Sequence, residues 1–394
     1  MHATSQRWVY PALMGILGLG LGISGAPSPL YGIYADEWDF APVTTTVVFA
    51  AYALAALVSV LVSGSISDRY GRRPLLLVAV TGLLVGLAVF MVAGSVAALI
   101  AARVLHGLSV GAIVVVGSAA LLDLRPDDGA ASGRRTGVAF NVGIGIAILG
   151  TSVDAQYGPA PLVVPYAALA FLSALALLAI VLMRETHDVD PTVALHVARP
   201  RVPAAIAPDF AFAALGVMAA WSVLGVFLSL YPSIASVAVG TDNLVFGGAV
   251  VGGSALAAAA SQVAAGDRDT RRSAIVGDLG TAASLGLCVL AVHLGDAWFL
   301  GFCSVLLGFF FGLAFGSSLR HLGQVLPAAH RGEVMSAFYV LAYGALALPT
   351  IAAGVAATRW GVDTIFAPFM GCVAMACVVA GVLGLRVKGV QPDV

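Results

Sequence analysis

Charge is scarce in this sequence. Its 394 residues carry 19 Lys and Arg and 20 Asp and Glu, so 10% are charged, where a soluble globular domain carries about a quarter. Lys388 is the one lysine among the 19 basic residues. The net charge is −1, so no basic face invites nucleic acid. Cysteine is limited to Cys288, Cys303, Cys372 and Cys377, all inside apolar runs. Such thiols behave as small buried hydrophobes, which disfavours disulfide or metal chemistry. No phosphate loop, nucleotide fingerprint or metal-spaced His/Cys cluster is written, which argues against an ATP-driven pump and against a bound cofactor. The apolar runs do not alternate at period two, so a membrane β-barrel fails.

What fills the chain is hydrocarbon. Sixty per cent of residues are hydrophobic, and the mean hydropathy is +1.00. Runs long enough to cross a bilayer core of about 30 Å recur from end to end. In lipid, continuous apolar runs satisfy their backbone hydrogen bonds only as helices. Spans are predicted at 10–33, 43–63, 74–94, 97–122, 137–157, 162–183, 209–235, 244–264, 273–293, 297–319, 334–356 and 364–386. The opening MHATSQRWVY runs directly into the first span, so no removable signal peptide is expected and that span does the targeting.

Basic residues fall on one side of these spans: Arg69, Arg72 and Arg73; Arg125, Arg134 and Arg135; Arg268, Arg271 and Arg272; Arg320 and Arg331. The opposite loops, such as Asp36–Asp39 and Thr241–Asn243, carry almost none, Arg359 excepted. The positive-inside rule makes the arginine side cytoplasmic, and both termini join it, with Arg386 and Lys388 inside. The excess of arginine over lysine fits a GC-rich bacterial genome, so a bacterial plasma membrane is the expected location.

The longest hydrophilic stretch, 184–208, reads as a cytoplasmic linker between a first bundle at 1–183 and a second at 209–394. Asp267-Arg268-x-x-Arg271-Arg272 repeats the spacing of Asp68-Arg69-x-x-Arg72-Arg73 at an offset of 199 residues, the mark of a duplicated half. The fold class is an all-α membrane protein of twelve transmembrane helices in two pseudo-symmetric six-helix bundles.

The densest charge lies in Gly64-Ser65-Ile66-Ser67-Asp68-Arg69-Tyr70-Gly71-Arg72-Arg73, between the second and third spans. This G-x-x-x-D-R-x-G-R-R pattern resembles the signature loop of the major facilitator superfamily. The fourth span carries Arg103, His106, Gly107, Gly111 and Gly117, which resembles that superfamily's R-x-x-x-G-x-x-x-G pattern. The resemblance implies an alternating-access transporter with inverted repeats in each half. It also implies that Asp68 faces the start of the eleventh helix near Gly332-Glu333. An arginine of the loop, Arg72 or Arg73, would pair with Asp123. An exposed carboxylate at a helix N-terminus gains about 0.3–1 kcal/mol, a size suited to a latch that breaks in each cycle.

Inside the bilayer, an arginine costs about 2.5–3.5 kcal/mol on insertion scales, so Arg103 needs a cavity or a partner. Asp154 in the fifth span lies at similar depth, about 3 Å different by helix rise, and a pair with Arg103 is feasible. Asp154 is the leading coupling group, with His106 one turn from Arg103 as a packing residue or second proton group. Gly25-Ala26-Pro27-Ser28-Pro29-Leu30-Tyr31 should kink the first span. The pocket is drawn from Pro27, Tyr31, Asn141, Trp221, Tyr231, Gln262, Tyr339 and Tyr343. The Gly-Pro pair usual in the fifth helix of twelve-span drug antiporters is missing from 137–150.

The function expected is proton-coupled export of small amphipathic compounds by a monomer in the lipid bilayer, with a small-molecule substrate, protons as co-substrate, no metal and no cofactor. The alternative within the fold is a proton-coupled importer of sugars or organic acids. The alternative outside it is a membrane-embedded enzyme or non-transporting receptor, which would gather His, Asp or Glu at one interface.

Overall fold

A computed structural model describes residues 7–126, 129–197, 199–266, 268–326 and 330–387. Its regular elements are helices, and twelve of them are long and apolar enough to cross a membrane. The first unit holds α1 (Val9–Gly25), α2 (Tyr31–Trp38), α3 (Pro42–Tyr70), α4 (Arg72–Met91), α5 (Val96–Leu124), α6 (Gly129–Tyr157) and α7 (Val164–Leu182). The second holds α8 (Ala207–Ser229), α9 (Tyr231–Val239), α10 (Leu244–Ala265), α11 (Thr270–Leu294), α12 (Ala297–Val325), α13 (Arg331–Trp360) and α14 (Val362–Arg386). By their contacts, Ala41–Ala50, the opening turns of α3, group with the second unit, where the Val43 N–H donates to Thr358 Oγ1 at 3.0 Å. Asp267 and Lys388, used above for the repeat and the orientation, lie outside the described residues.

Local chemistry sets the ends of the spans. Ser95, Asn243, Asp269 and Asp296 each accept a backbone N–H of the helix they precede, at 3.3, 2.9, 2.7 and 2.7 Å. These short polar side chains satisfy donors that the first turn leaves orphaned. Gly240 and Gly295 close α9 and α11 in the left-handed region. Several helices outrun the predicted spans: α3 continues through Asp68 and Arg69 to Tyr70, and α5 reaches Leu124. Charged residues stop an apolar run without stopping a helix.

The first span breaks where its prolines stand. Pro27 and Pro29 have no N–H for the carbonyls four residues back, and a short 3₁₀ turn at Ser28–Leu30 joins α1 to α2. The first span of the second unit breaks likewise at Leu230, between α8 and α9. Gly25, Leu30 and Tyr31 stand 200 residues before Gly225, Leu230 and Tyr231, so the duplication extends beyond the charged loops. Packing repeats with it. α1 packs on α6 as α8 does on α13, and α4 on α5 as α11 does on α12.

The glycines of α5 mark one such seam. A methyl at Gly111 would sit 2.7 Å from the Ala56 carbonyl oxygen, and Gly107 lies as tightly against Tyr52 and Ala55 of α3. In the second unit Gly308 and Gly312 of α12 meet Ser254 and Ala258 of α10 in the same way. Small residues let two backbones touch where lipid supplies no hydrophobic drive of its own.

Candidate functional site

The signature residues form one charge network. Only Gly71 separates α3 from α4, with φ 101° and ψ 159°, a conformation that glycine takes without strain. The turn aims Arg72 inward, to 7% exposure. Its Nη1 donates to Asp68 Oδ1 at 2.6 Å and to the Ser67 hydroxyl, and its Nε donates to Asp123 Oδ2 on α5 at 3.1 Å. One planar guanidinium thus ties α3, α4 and α5 together. Arg73 donates to the carbonyls of Ile180 at 3.2 Å and Val181 at 2.7 Å, which α7 leaves open at its C-terminus. Arg69 lies 5.5 Å from the Tyr70 ring centroid. Gly64 sits inside α3 with open space where a side chain would go.

The stretch that follows α7 adds a part that sequence reading gave no role. Glu185 Oε1 accepts the Arg72, Thr186 and His187 N–H groups at 2.9, 3.0 and 3.2 Å, and its Oε2 accepts that of Arg73 at 3.0 Å. This carboxylate caps the N-terminus of α4. The chain then runs beside α3, where Ser65 Oγ donates to the His196 carbonyl at 2.9 Å. Donation from the Thr192 N–H and hydroxyl holds the Asp190 carboxyl below its ordinary range. A glutamate one turn past a span is a visible signal, but its target is 113 residues away.

In the core of the first unit, Arg103 is 1% exposed and turned inward. Its Nη1 donates to the Ser24 carbonyl at 2.8 Å, beside the proline break, and its guanidinium lies 4.9 Å from the Tyr52 and 5.8 Å from the Tyr31 ring centroids. These contacts lead to α1, α2 and α3. Asp154 lies half-buried near the end of α6, and α1 packs along both α5 and α6, which themselves touch little. His106 is fully buried with its ring 5.2 Å from Phe90, which stacks on Tyr166 at 4.7 Å. Asn141 donates to the Gly137 carbonyl of its own helix at 2.9 Å, and Pro27 is buried in the break.

In the second unit, Trp221 of α8 meets Phe315 of α12 at 5.7 Å and Tyr343 of α13 at 5.0 Å, and Tyr339 lies 6.4 Å from Tyr343. Trp221 and Tyr339 keep part of their surface open. Gln262 is 6% exposed and packs against Gly316. Tyr231 stacks between Phe227 at 3.9 Å and Phe366 at 5.9 Å, with its hydroxyl 3.0 Å from Ser304 Oγ. It is fully buried, a core residue in this conformation. Two groups escaped sequence reading. His321 is buried against Asp209 at 2.8 Å, and Asp278 of α11 is an acid inside a predicted span with 0% exposure. Asp278 was legible as the one acid within span 273–293.

Twelve apolar helices in two units whose packing matches, with a charge network at one turn, define a polytopic helical membrane protein of transporter type. The family profile of the Major Facilitator Superfamily matches residues 12–348, and the chain belongs to that superfamily. It is a transporter and not an enzyme. Among curated proteins, the tetracycline resistance protein, class C, of Escherichia coli is 33% identical over 145 residues, which are 36% of this chain and 35% of that one. The match spans about a third of the relative's length. Two solved structures share the fold over 96% of this chain and 99% of theirs. They are the human organic anion transporter MFSD10, with TM-score 0.71 at 18% identity, and the nucleoside transporter NupG, with TM-score 0.69 at 13% identity.

Proposed function

We propose that this transporter is a proton-coupled exporter of small amphipathic compounds, working by alternating access as a monomer in a bacterial plasma membrane. The observation that carries the mechanism is Arg72, held between Asp68 and Asp123 at the turn between α3 and α4. In the reading, Asp68 and Arg72 form a latch that stabilises one state and breaks in the next. Charge-assisted hydrogen bonds of this kind are worth about 1.5–3 kcal/mol each, enough to bias two states without freezing either.

Export is favoured by the partial match to a resistance protein and by the partly open aromatic faces of Trp221 and Tyr339, packed on Tyr343. Faces of this type suit flat, weakly charged molecules. Coupling is assigned to protons through Asp154 and Arg103. In this reading Arg103 leaves the Ser24 carbonyl in another state of the cycle and meets Asp154 there. The arginine-bearing loops face the cytoplasm. A reporter placed after Arg272 should score cytoplasmic, one inserted at Asp242 should score external, and a reversal of either would dismantle this orientation.

The deciding experiment places purified protein in vesicles with an imposed pH gradient and follows tetracycline and ethidium. Uphill movement against proton flow supports export. Uphill movement with proton flow favours the importer, and labelled sugars or organic acids would then replace the first probes. Indifference to the gradient removes proton coupling.

A further inference from the structure

The second unit contains a carboxyl group that nothing in its surroundings explains. Asp278 is fully buried in α11, and neither of its oxygens has a hydrogen-bond partner among the described residues. On the facing helix α8 stands Gly216, where a methyl group would sit 2.8 Å from Asp278 Oδ1. The seam is therefore shaped around the carboxyl, and a methyl group at Gly216 would crowd it.

The groups around it are nearly all unable to titrate. On α8 none stands between Asp209 and Tyr231, and on α12 none between Cys303 and Arg320. α14 offers Cys372 and Cys377 between Asp363 and Arg386, of which Cys377 is buried and Cys372 exposed. α9 offers Tyr231, and on α11 itself the neighbours are Arg272 and Cys288. Among the described residues, none of the cations at the ends of these stretches, Arg272, Arg320 or Arg386, hydrogen-bonds to the carboxyl. An ionised carboxylate is very costly in such a place, whereas the neutral acid is tolerable. The buried polarity continues along α11 through Thr281, Ser284 and Cys288, and the Ser284 hydroxyl also has no partner.

We propose that Asp278 is a proton-binding site: it carries a proton in the conformation described and passes it to water when the helices around it part. The carboxyl O–H bond breaks, the proton joins a water molecule, and a carboxylate remains until water delivers another proton. A role for this step in transport rests on the proton-coupled reading above; the occupancy of the site by a proton does not.

Infrared spectroscopy of the purified chain in lipid vesicles tests the site directly. A carboxylic-acid C=O band at neutral pH, sensitive to deuterium exchange, should be lost in Asp278→Asn and return at a shifted frequency in Asp278→Glu. Identical spectra for wild type and Asp278→Asn would overturn the site, as would a band that disappears on adding sodium at constant pH. Should the asparagine variant misfold, Gly216→Ala gives the same test, because crowding the carboxyl must shift the band; an unmoved band again overturns the proposal. Ethidium movement under a pH gradient then separates the two readings. Gradient-driven transport equal to wild type in Asp278→Asn would sink the coupling role of Asp278 alone. A wild type that keeps the band but ignores the gradient would sink proton-coupled transport and leave the site standing.

Discussion

Arg72 reaches Asp123 across 51 residues of sequence with a single 3.1 Å hydrogen bond, while the other end of its guanidinium holds Asp68 four residues behind it. The pair is half-sheltered, with the Asp123 side chain 24% exposed and that of Arg72 8%. Deleting either partner leaves the other in a poorly solvated place. Arg72→Ala and Asp123→Asn should each lower thermal stability in detergent, and the double variant should lose less than their sum. The interaction energy expected is about 1 kcal/mol, within the usual range for contacting residues. Strict additivity would mean the bond contributes nothing.

Asp68 is 45% exposed and its loss should spare the fold. Asp68→Asn should shift the population of states, altering cysteine labelling on the two faces of the membrane and removing most transport. Unchanged labelling with wild-type transport would exclude Asp68 from the latch.

The two glycines of the signature should respond in opposite ways to alanine. Gly71 has φ 101°, so Gly71→Ala forces a side chain into the left-handed region and should cost about 1 kcal/mol or more. Gly64 lies inside α3 with nothing within 4 Å of an added methyl, so Gly64→Ala should be neutral or stabilise by about 0.5–1 kcal/mol. Thermal unfolding of both variants, compared with transport, separates fold from function: Gly64→Ala that unfolds normally but fails to transport would mean another state brings a helix close there.

Glu185 is exposed, and its effect should be local. Glu185→Gln keeps an acceptor oxygen but loses the charge at the start of α4, worth about 0.3–1 kcal/mol there. Amide exchange at Arg72 and Arg73 should quicken while the rest of the chain is unaffected. Equal protection in the variant would show that the cap is idle.

The coupling proposal has its own cycle. Asp154→Asn should uncouple transport from the pH gradient but permit downhill exchange, and Arg103→Ala should lower activity. The double variant should be less impaired than the two losses added, since neither charge remains alone. Asp154→Asn that still concentrates ethidium would take Asp154 out of the mechanism.

The fold was readable because bilayer physics writes itself plainly: runs of hydrocarbon long enough to span, and glycines where helices must touch. Asp123, an acid at the end of the fourth span, accepts a hydrogen bond from Arg72. What stayed hidden depends on who stands beside whom. Nothing along the chain says that α1 lies between α5 and α6 and receives the Arg103 guanidinium at Ser24. Nothing marks Glu185 as the cap of a helix that begins at Arg72. Tyr231 looked available because aromatic residues line pockets and cores alike, and only packing tells which. Asp278 was in plain view, yet a single acid in an apolar run gives no hint that it lacks a donor.

The duplicated break has a consequence for how chemistry is shared between the halves. Tyr31 in one half and Tyr231 in the other occupy matching places, and each faces the helix that carries the glycine seam. The residue met there is Arg103 in the first half and Ser304 in the second, standing four residues before Gly107 and Gly308 respectively. The same niche is built twice but electrified once. An ancestral pair of equal halves would have carried two like charges in these niches, or none. By keeping a cation in one copy and a hydroxyl in the other, the chain gains a polarity that a symmetric dimer of identical halves could not express.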